Sequence, residues 1–288
     1  MAAYFGKLLI GLIVAFALLS AVFWFIERRW PALARRPRAK GATRTDIVWW
    51  VVTPLSTRLA FLVVALVAAI VIAISFGAPA GEGIKRFFDR DTAIGRQPLW
   101  LQTFEIIVFL DLASYWGHRW FHRVKPLWPF HAVHHSSEWV DWLASVRVHP
   151  VNEIGMKLLQ AAPLLIMGFN FTAVSVAAPI LTFYAIFIHA NVPFGFGPMR
   201  YVFATPVFHR WHHTSQEEGL NRNFSGGFVW PDMLFGTFYL PKGKQPERFG
   251  LFGERVPENF WSQLAWGFRG LFKKSATQSV PFPQRPVA

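Results

Sequence analysis

Ten histidines fall between positions 118 and 213, and the 117 residues before them and the 75 after contain none. Three short groups hold eight of them: His118-Arg-Trp-Phe-His122, His131-Ala-Val-His134-His135 and His209-Arg-Trp-His212-His213. His149 and His189 stand alone, in His149-Pro150 and His189-Ala190-Asn191. On a helix, positions i, i+3 and i+4 share a face, so each group is predicted to aim two or three imidazoles at one point. Neutral imidazole is a ligand for iron, zinc and copper. Eight donors are twice what a tetrahedral zinc site uses, and so many predict two metal ions. Without a metal, eight buried imidazoles would need a partner for every ring nitrogen. His189 is expected to add a ninth donor. His149 reads equally well as a ligand or as a hydrogen-bonded packing residue.

Other chemistries fit these residues less well. The chain has no cysteine, which removes disulfides, thiolate metal sites and a thiol nucleophile together. No histidine is followed by glutamate, so the H-E-x-x-H signature of a zinc protease is missing. A haem protein needs opposed single ligands rather than H-x-x-H-H. A non-catalytic metal-binding or transport protein should spread its acids and histidines along its spans. No catalytic side chain is assigned beyond the metal ligands, but Asp111 and Asn191 are read as supports for them. Asp111 lies seven residues before His118, with Tyr115 between them on the same face. It is expected either to accept a hydrogen bond from a ligand imidazole or to pair with Arg119 or Arg123. Glu138, Asp141, Glu153 and Asp232 are further candidates for such support.

These donors need a scaffold, and hydropathy describes one. The 288 residues are 53% hydrophobic and 17% aromatic, with a mean hydropathy of +0.31. A soluble domain sits near about 45–50% apolar, and here the excess lies in long uncharged runs. The runs 8–26, 59–77 and 99–116 can each cross a hydrocarbon core of about 30 Å as a helix. The first is read as an uncleaved anchor, because it leads into Glu27-Arg28-Arg29 with no small-x-small site. The region 154–188 is apolar but broken at Gly168-Phe169-Asn170, which predicts a helical hairpin with both ends on one side. The expected fold is therefore an all-α integral membrane protein with about four transmembrane segments and a histidine-rich metal-binding cap.

The net charge of +13 has two readings, a nucleic-acid surface or a positive-inside signal. Arg28, Arg29, Arg35, Arg36, Arg38, Lys40 and Arg44 flank apolar runs, which favours the membrane and no nucleic acid. That segment is placed in the cytoplasm, with the N-terminus on the opposite side. The hairpin ends, the metal site and the C-terminus then share the cytoplasmic face, of a bacterial inner membrane or the endoplasmic reticulum. On this topology every histidine group reaches one side of the bilayer.

The order H-x-x-x-H, H-x-x-H-H, H-x-N, H-x-x-H-H resembles the fatty acid hydroxylase and sterol desaturase superfamily of membrane di-iron enzymes. The segment Asn223-Phe-Ser-Gly-Gly-Phe-Val-Trp-Pro-Asp232-Met-Leu-Phe-Gly-Thr237 is similar to the N-[YF]-G…W-D-x-L-F-G-T stretch that closes that domain. The resemblance divides the chain into N-terminal spans and basic loop (1–98), a catalytic domain (99–241) and a C-terminal tail (242–288). It implies two iron ions, dioxygen as cosubstrate, and a lipid or sterol-like substrate that is hydroxylated or desaturated. Ether-lipid oxidation belongs to the same superfamily. Electrons would come from a separate protein of cytochrome b5, ferredoxin or reductase type, since no flavin, nicotinamide or haem motif is present. Two departures stand out. Pro231 occupies the usual Trp position of W-D, and Ala185 occupies a place where some members have another histidine. The second leaves His149 as a substitute ligand.

Overall fold

Helices account for every regular element among the described residues, which in this computed structural model are 2–34, 41–76, 82, 85, 87 and 90–269. Arg35, Arg36, Arg38, Lys40, most of the 78–89 loop and the tail beyond 269 lie outside them. The two longest helices, α1 (Ala2–Arg29) and α2 (Ala42–Phe76), come first. They are followed by α3 (Leu99–Arg123), α4 (Trp128–His135), α5 (Pro150–Met167), α6 (Phe171–His189) and α7 (Pro206–His212). Two short helices, α8 (Trp230–Leu234) and α9 (Phe260–Trp266), complete the series.

Among the described residues, three stretches are long and apolar enough to cross a membrane: Gly6–Arg29, Ala42–Ser75 and Phe171–His189. Their large side chains point outward, as with Ile13 and Leu18 on α1, Leu62 and Ile74 on α2, and Ile180 and Phe183 on α6. A helix that is apolar all round and still exposes such residues is solvated by lipid rather than water. The chain is an integral membrane protein. The helix α3 is more polar, holding Glu105, Asp111, Arg119 and Arg123, and it packs against α5 and α6 through Ile106, Leu164, Ala173 and Ala177.

The expected hairpin is α5 and α6, and its turn is fastened by the segment before α3. Gly168 ends α5 at φ +79°, and a Cβ there would meet the Thr92 side chain at 2.5 Å. Only glycine combines that backbone with that contact. Arg90 donates to the last carbonyls of α5, at Leu165 and Ile166, and the Gln102 side chain accepts the Asn170 amide at 2.9 Å. A largely apolar cavity of about 820 Å³ lies at this end, between α2 and the hairpin.

The opposite end is polar, and it gathers the C-termini of α1, α3 and α6 with the N-termini of α2 and α5. The sequence places the second apolar run at residue 59, yet α2 begins at Ala42. Its first turns are held by the cap: Asp46 pairs with Arg147, Thr45 donates to the Glu258 carbonyl, and Trp49 Nε1 donates to Gln263 at 2.7 Å. Arg147 also reaches Glu258 at 3.3 Å. One buried guanidinium thus joins segments 1–98, 99–241 and 242–288.

Candidate metal centre

Nine of the ten histidines converge at the polar end, and they form two groups rather than one. His118, His122, His131, His135 and His212 make a group of five, and His134, His189, His209 and His213 make a group of four. Within each group every ring offers one nitrogen, and these nitrogens lie within 4.8 Å of one another. Each H-x-x-H-H motif is split between the groups, so that two of its three rings share one point and the third turns to the other. A helix turns about 100° per residue, so i and i+4 lie about 40° apart while i+3 and i+4 lie about 100° apart. His131 and His135 therefore share one group and His134 faces the other. His209 and His213 likewise stay together, and His212 crosses over. The groups adjoin, with the His135 and His213 rings stacked at 4.4 Å.

Backbone carbonyls set the direction of the rings. Nδ1–H of His118 donates to Phe224 O (2.8 Å), that of His134 to Arg147 O (3.2 Å) and that of His212 to Arg222 O (2.8 Å). His189 Nδ1 donates to Ala185 O at 2.6 Å, and His131 Nδ1 to the side-chain oxygen of Asn152 at 3.0 Å. A carbonyl can only accept, so Nδ1 carries the proton and each Nε2 keeps its lone pair. The Nε2 atoms of His118, His131 and His212 are buried with no partner. The Nε2 atoms of His134 and His189 face each other at 3.3 Å. With both protons held elsewhere, that contact sets lone pair against lone pair, which a shared cation would turn from repulsion into ligation.

Other distances agree with a metal. His209 and His213 Nε2 each lie 3.1 Å from His189 Nε2 and 3.2 Å from each other, and His122 and His135 Nε2 are 3.1 Å apart. Two imidazole nitrogens bound at about 2.1 Å and at right angles sit about 3.0 Å apart. Burial, reinforced by neighbouring imidazoles, holds His131, His135, His212 and His213 well below the usual imidazole pKa, and burial alone brings His118 to about 4. Lowered in this way, the rings favour the neutral form that a metal would need. The donor set fits iron, zinc or copper, and all-nitrogen ligation argues against magnesium or calcium.

His149 is not in either group. Its Nδ1 accepts the Val151 amide at 3.1 Å as the N-cap of α5, and its Nε2 donates to Leu264 O at 3.0 Å. Both nitrogens are occupied, so it does not replace the histidine missing at Ala185. That position contributes its carbonyl instead.

The support residues also have other partners than expected. Asp111 bonds neither an imidazole nor an arginine: its carboxylate accepts the amides of Gly227 (2.7 Å) and Phe228 (2.8 Å). Asp232 accepts the amides of Phe224 and Ser225, both at 2.8 Å, and the Thr237 hydroxyl at 2.6 Å. Together these buried acids clamp the strand-like 224–228 segment that presents Phe224 O to His118. Asn191 also bonds no ring. Its side chain pairs with the Leu33 backbone (3.1 and 2.9 Å), and its amide donates to Glu27 at 3.0 Å.

Glu27, Asp46, Arg147, Asn152 and Glu258 were not among the expected supports. Glu27 and Asp46 are acids at the edges of apolar runs, a placement that signals a buried partner. Among basic neighbours they read as ordinary flanking charge. Arg147 and Asn152 bracket His149, and their roles depend on where that turn lies against α4.

The fold and site define a class: a membrane helix bundle whose polar end holds two adjoining all-histidine groups that could each hold a metal ion. Residues 103–237, a little under half of the chain, match the family model for fatty acid hydroxylases. The chain is 30% identical over 185 residues to the ornithine lipid hydroxylase OlsE of Rhizobium tropici, covering 63% of this chain and 56% of that protein. It is 31% identical over 166 residues to the alkylglycerol monooxygenase of Homo sapiens, covering 57% of this chain and 35% of that one. Similarity to the Delta(7)-sterol-C5(6)-desaturase of Nicotiana tabacum is 23% over 139 residues, 47% of this chain and 48% of the other. The chain thus spans about half, or less, of the length of these relatives. No solved structure matches it.

Proposed function

We propose that this chain is a membrane oxygenase that binds two irons and uses dioxygen to hydroxylate a lipid. The observation that carries the reading is the pair of converging Nε2 groups whose protons are held on carbonyls. When bound, the irons would supply reductive activation of dioxygen and oxidation of an unactivated C–H bond. The substrate gains one oxygen atom as a hydroxyl. The second oxygen leaves as water, consuming two protons and two electrons from a separate donor protein of cytochrome b5, ferredoxin or reductase type.

The chain's own residues hold and shield the site. His118, His122, His131, His135 and His212 would ligate one iron, and His134, His189, His209 and His213 the other. His118, His131, His134, His189 and His212 keep their Nδ1 proton on an oxygen acceptor, so no proton must leave their Nε2 atoms before a metal binds. Burial of both groups excludes bulk water, and the apolar faces of the bundle admit lipid.

Hydroxylation is favoured over desaturation because the relatives matched over more of the chain are named as a hydroxylase and a monooxygenase. Their names specify an ornithine lipid and an alkylglycerol, which favours such lipids over sterols. Ether-lipid oxidation is the second reading, on the alkylglycerol monooxygenase similarity. We place the metal site and C-terminus in the cytoplasm, following the basic residues around 28–44, with the N-terminus across the membrane. The decisive experiment compares lipid extracts from cells with and without the gene, together with metal analysis of the detergent-purified chain. A lipid one oxygen heavier and near two irons per chain are expected. One zinc per chain, with lipid turnover that needs no oxygen, would overturn the reading.

A further inference from the structure

Two short segments outside the candidate spans expose large apolar side chains beside each other. One is the turn at Gly197–Tyr201 and the other is α8. They are joined by an antiparallel bridge, Phe203 to Phe228, with Ala204 N donating to Gly227 O at 2.7 Å and Val229 N to Val202 O at 3.0 Å. Phe196, Met199, Tyr201, Trp230, Met233 and Leu234 are between 40% and 67% exposed. Isolated exposed residues of this kind are ordinary, but a contiguous set marks a contact surface.

Its neighbours identify the contact. Phe196 stacks on Phe187 of α6 at 6.0 Å with the planes 4° apart, so the patch continues from a membrane-crossing helix. At its other edge Phe235 packs on Trp116 at 4.7 Å, one turn from the exposed Trp120 of α3. Charge points the same way. Residues 192–215 contain no acid, and 226–246 contain only Asp232, which is fully buried. Arg200 lies over the Tyr201 ring at 4.9 Å, and Lys242 and Lys244 are exposed nearby in sequence. Trp, Tyr and Arg beside apolar side chains, without exposed acids, suit the boundary between headgroups and acyl chains.

We infer that this bridged pair of segments is seated in the lipid headgroup–acyl boundary of the leaflet on the metal side. The cap is then held to the bilayer at a second place, beyond its membrane-crossing helices. The same 223–237 stretch that orients His118 would lie directly against lipid.

The absence of cysteine makes the test simple, since one introduced thiol labels one position. M199C and L234C carry an environment-sensitive fluorophore, with E218C, an exposed polar position, as the control. Each full-length variant is reconstituted in phosphatidylcholine–phosphatidylglycerol vesicles, after its metal content is matched to that of the unlabelled chain. Lipid with brominated acyl chains is expected to quench the first two labels at least about twofold more than the control, and aqueous iodide to do the reverse. Labels as open to iodide as E218C would overturn the inference. Labels shielded from both quenchers would overturn it too, because protein rather than lipid would then cover the patch.

Discussion

The two histidine groups are cut from the same motifs but are held by different parts of the molecule. In the five-ring group, the orienting acceptors are Phe224 O, Arg222 O and Asn152, and the Asn221 side chain bonds His122. Most of these belong to one loop, 221–228, clamped by Asp111 and Asp232. In the four-ring group, His189 is the last residue of a membrane-crossing helix, and His134 leans on the carbonyl of Arg147. The Arg147 side chain ties in α2 and the C-terminal region. The first group is thus held mainly by α3 and the 221–228 loop packed on it. The second depends on α2, α6 and the cap being docked correctly, so damage to helix packing should reach it first.

Removing a ligand from either side is the most severe test. His189→Ala should strip metal from the four-ring group alone, leaving about half the metal per chain. Product formation should fall by more than about 100-fold, beyond the 10–100-fold typical of outer supporting residues. His118→Ala should do the same to the other group. Metal content unchanged in either variant would break the division into two sites.

Arg147→Met leaves Asp46 buried without its cation, and both side chains are fully buried. The expected loss is about 3–5 kcal/mol, read as thermal unfolding in detergent, with the four-ring metal lost first. Adding Asp46→Leu should recover much of the stability, because an apolar pair replaces the ionic one. Asp232→Asn acts on the other side. It should weaken metal binding in the five-ring group by about 10–100-fold while sparing the four-ring group. Equal weakening of both would show that the groups are not separately supported. The smallest effect is expected for His149→Ala, which loses an N-cap worth about 1 kcal/mol and leaves the metal content unchanged.

Much of this was legible in the sequence, for reasons that can be named. Apolar runs need no tertiary partner to be recognised, so α1, α2 and the α5–α6 hairpin appear near their expected positions. The break at Gly168-Phe169-Asn170 was readable because a glycine there serves a left-handed helix end. The upper turns of α2 were not, since Ala42 to Trp49 are helical where their polar groups find Arg147, Glu258 and Gln263. Asp111 was recognised as an interior acid but given the wrong partners. Its acceptors lie against amides more than a hundred residues away, at Gly227 and Phe228.

By itself the sequence determined that eight imidazoles in three groups and a set of membrane helices belong to one protein, because residue type and spacing are local properties. It left His149 open between two roles, and only the packing of α9 decided it, by placing the Leu264 carbonyl on Nε2. The histidine count pointed to two metals, but which ring joins which group was decided by the tertiary structure. A motif states how far apart its rings are around a helix. It does not say what stands opposite each face, and ligation depends on that.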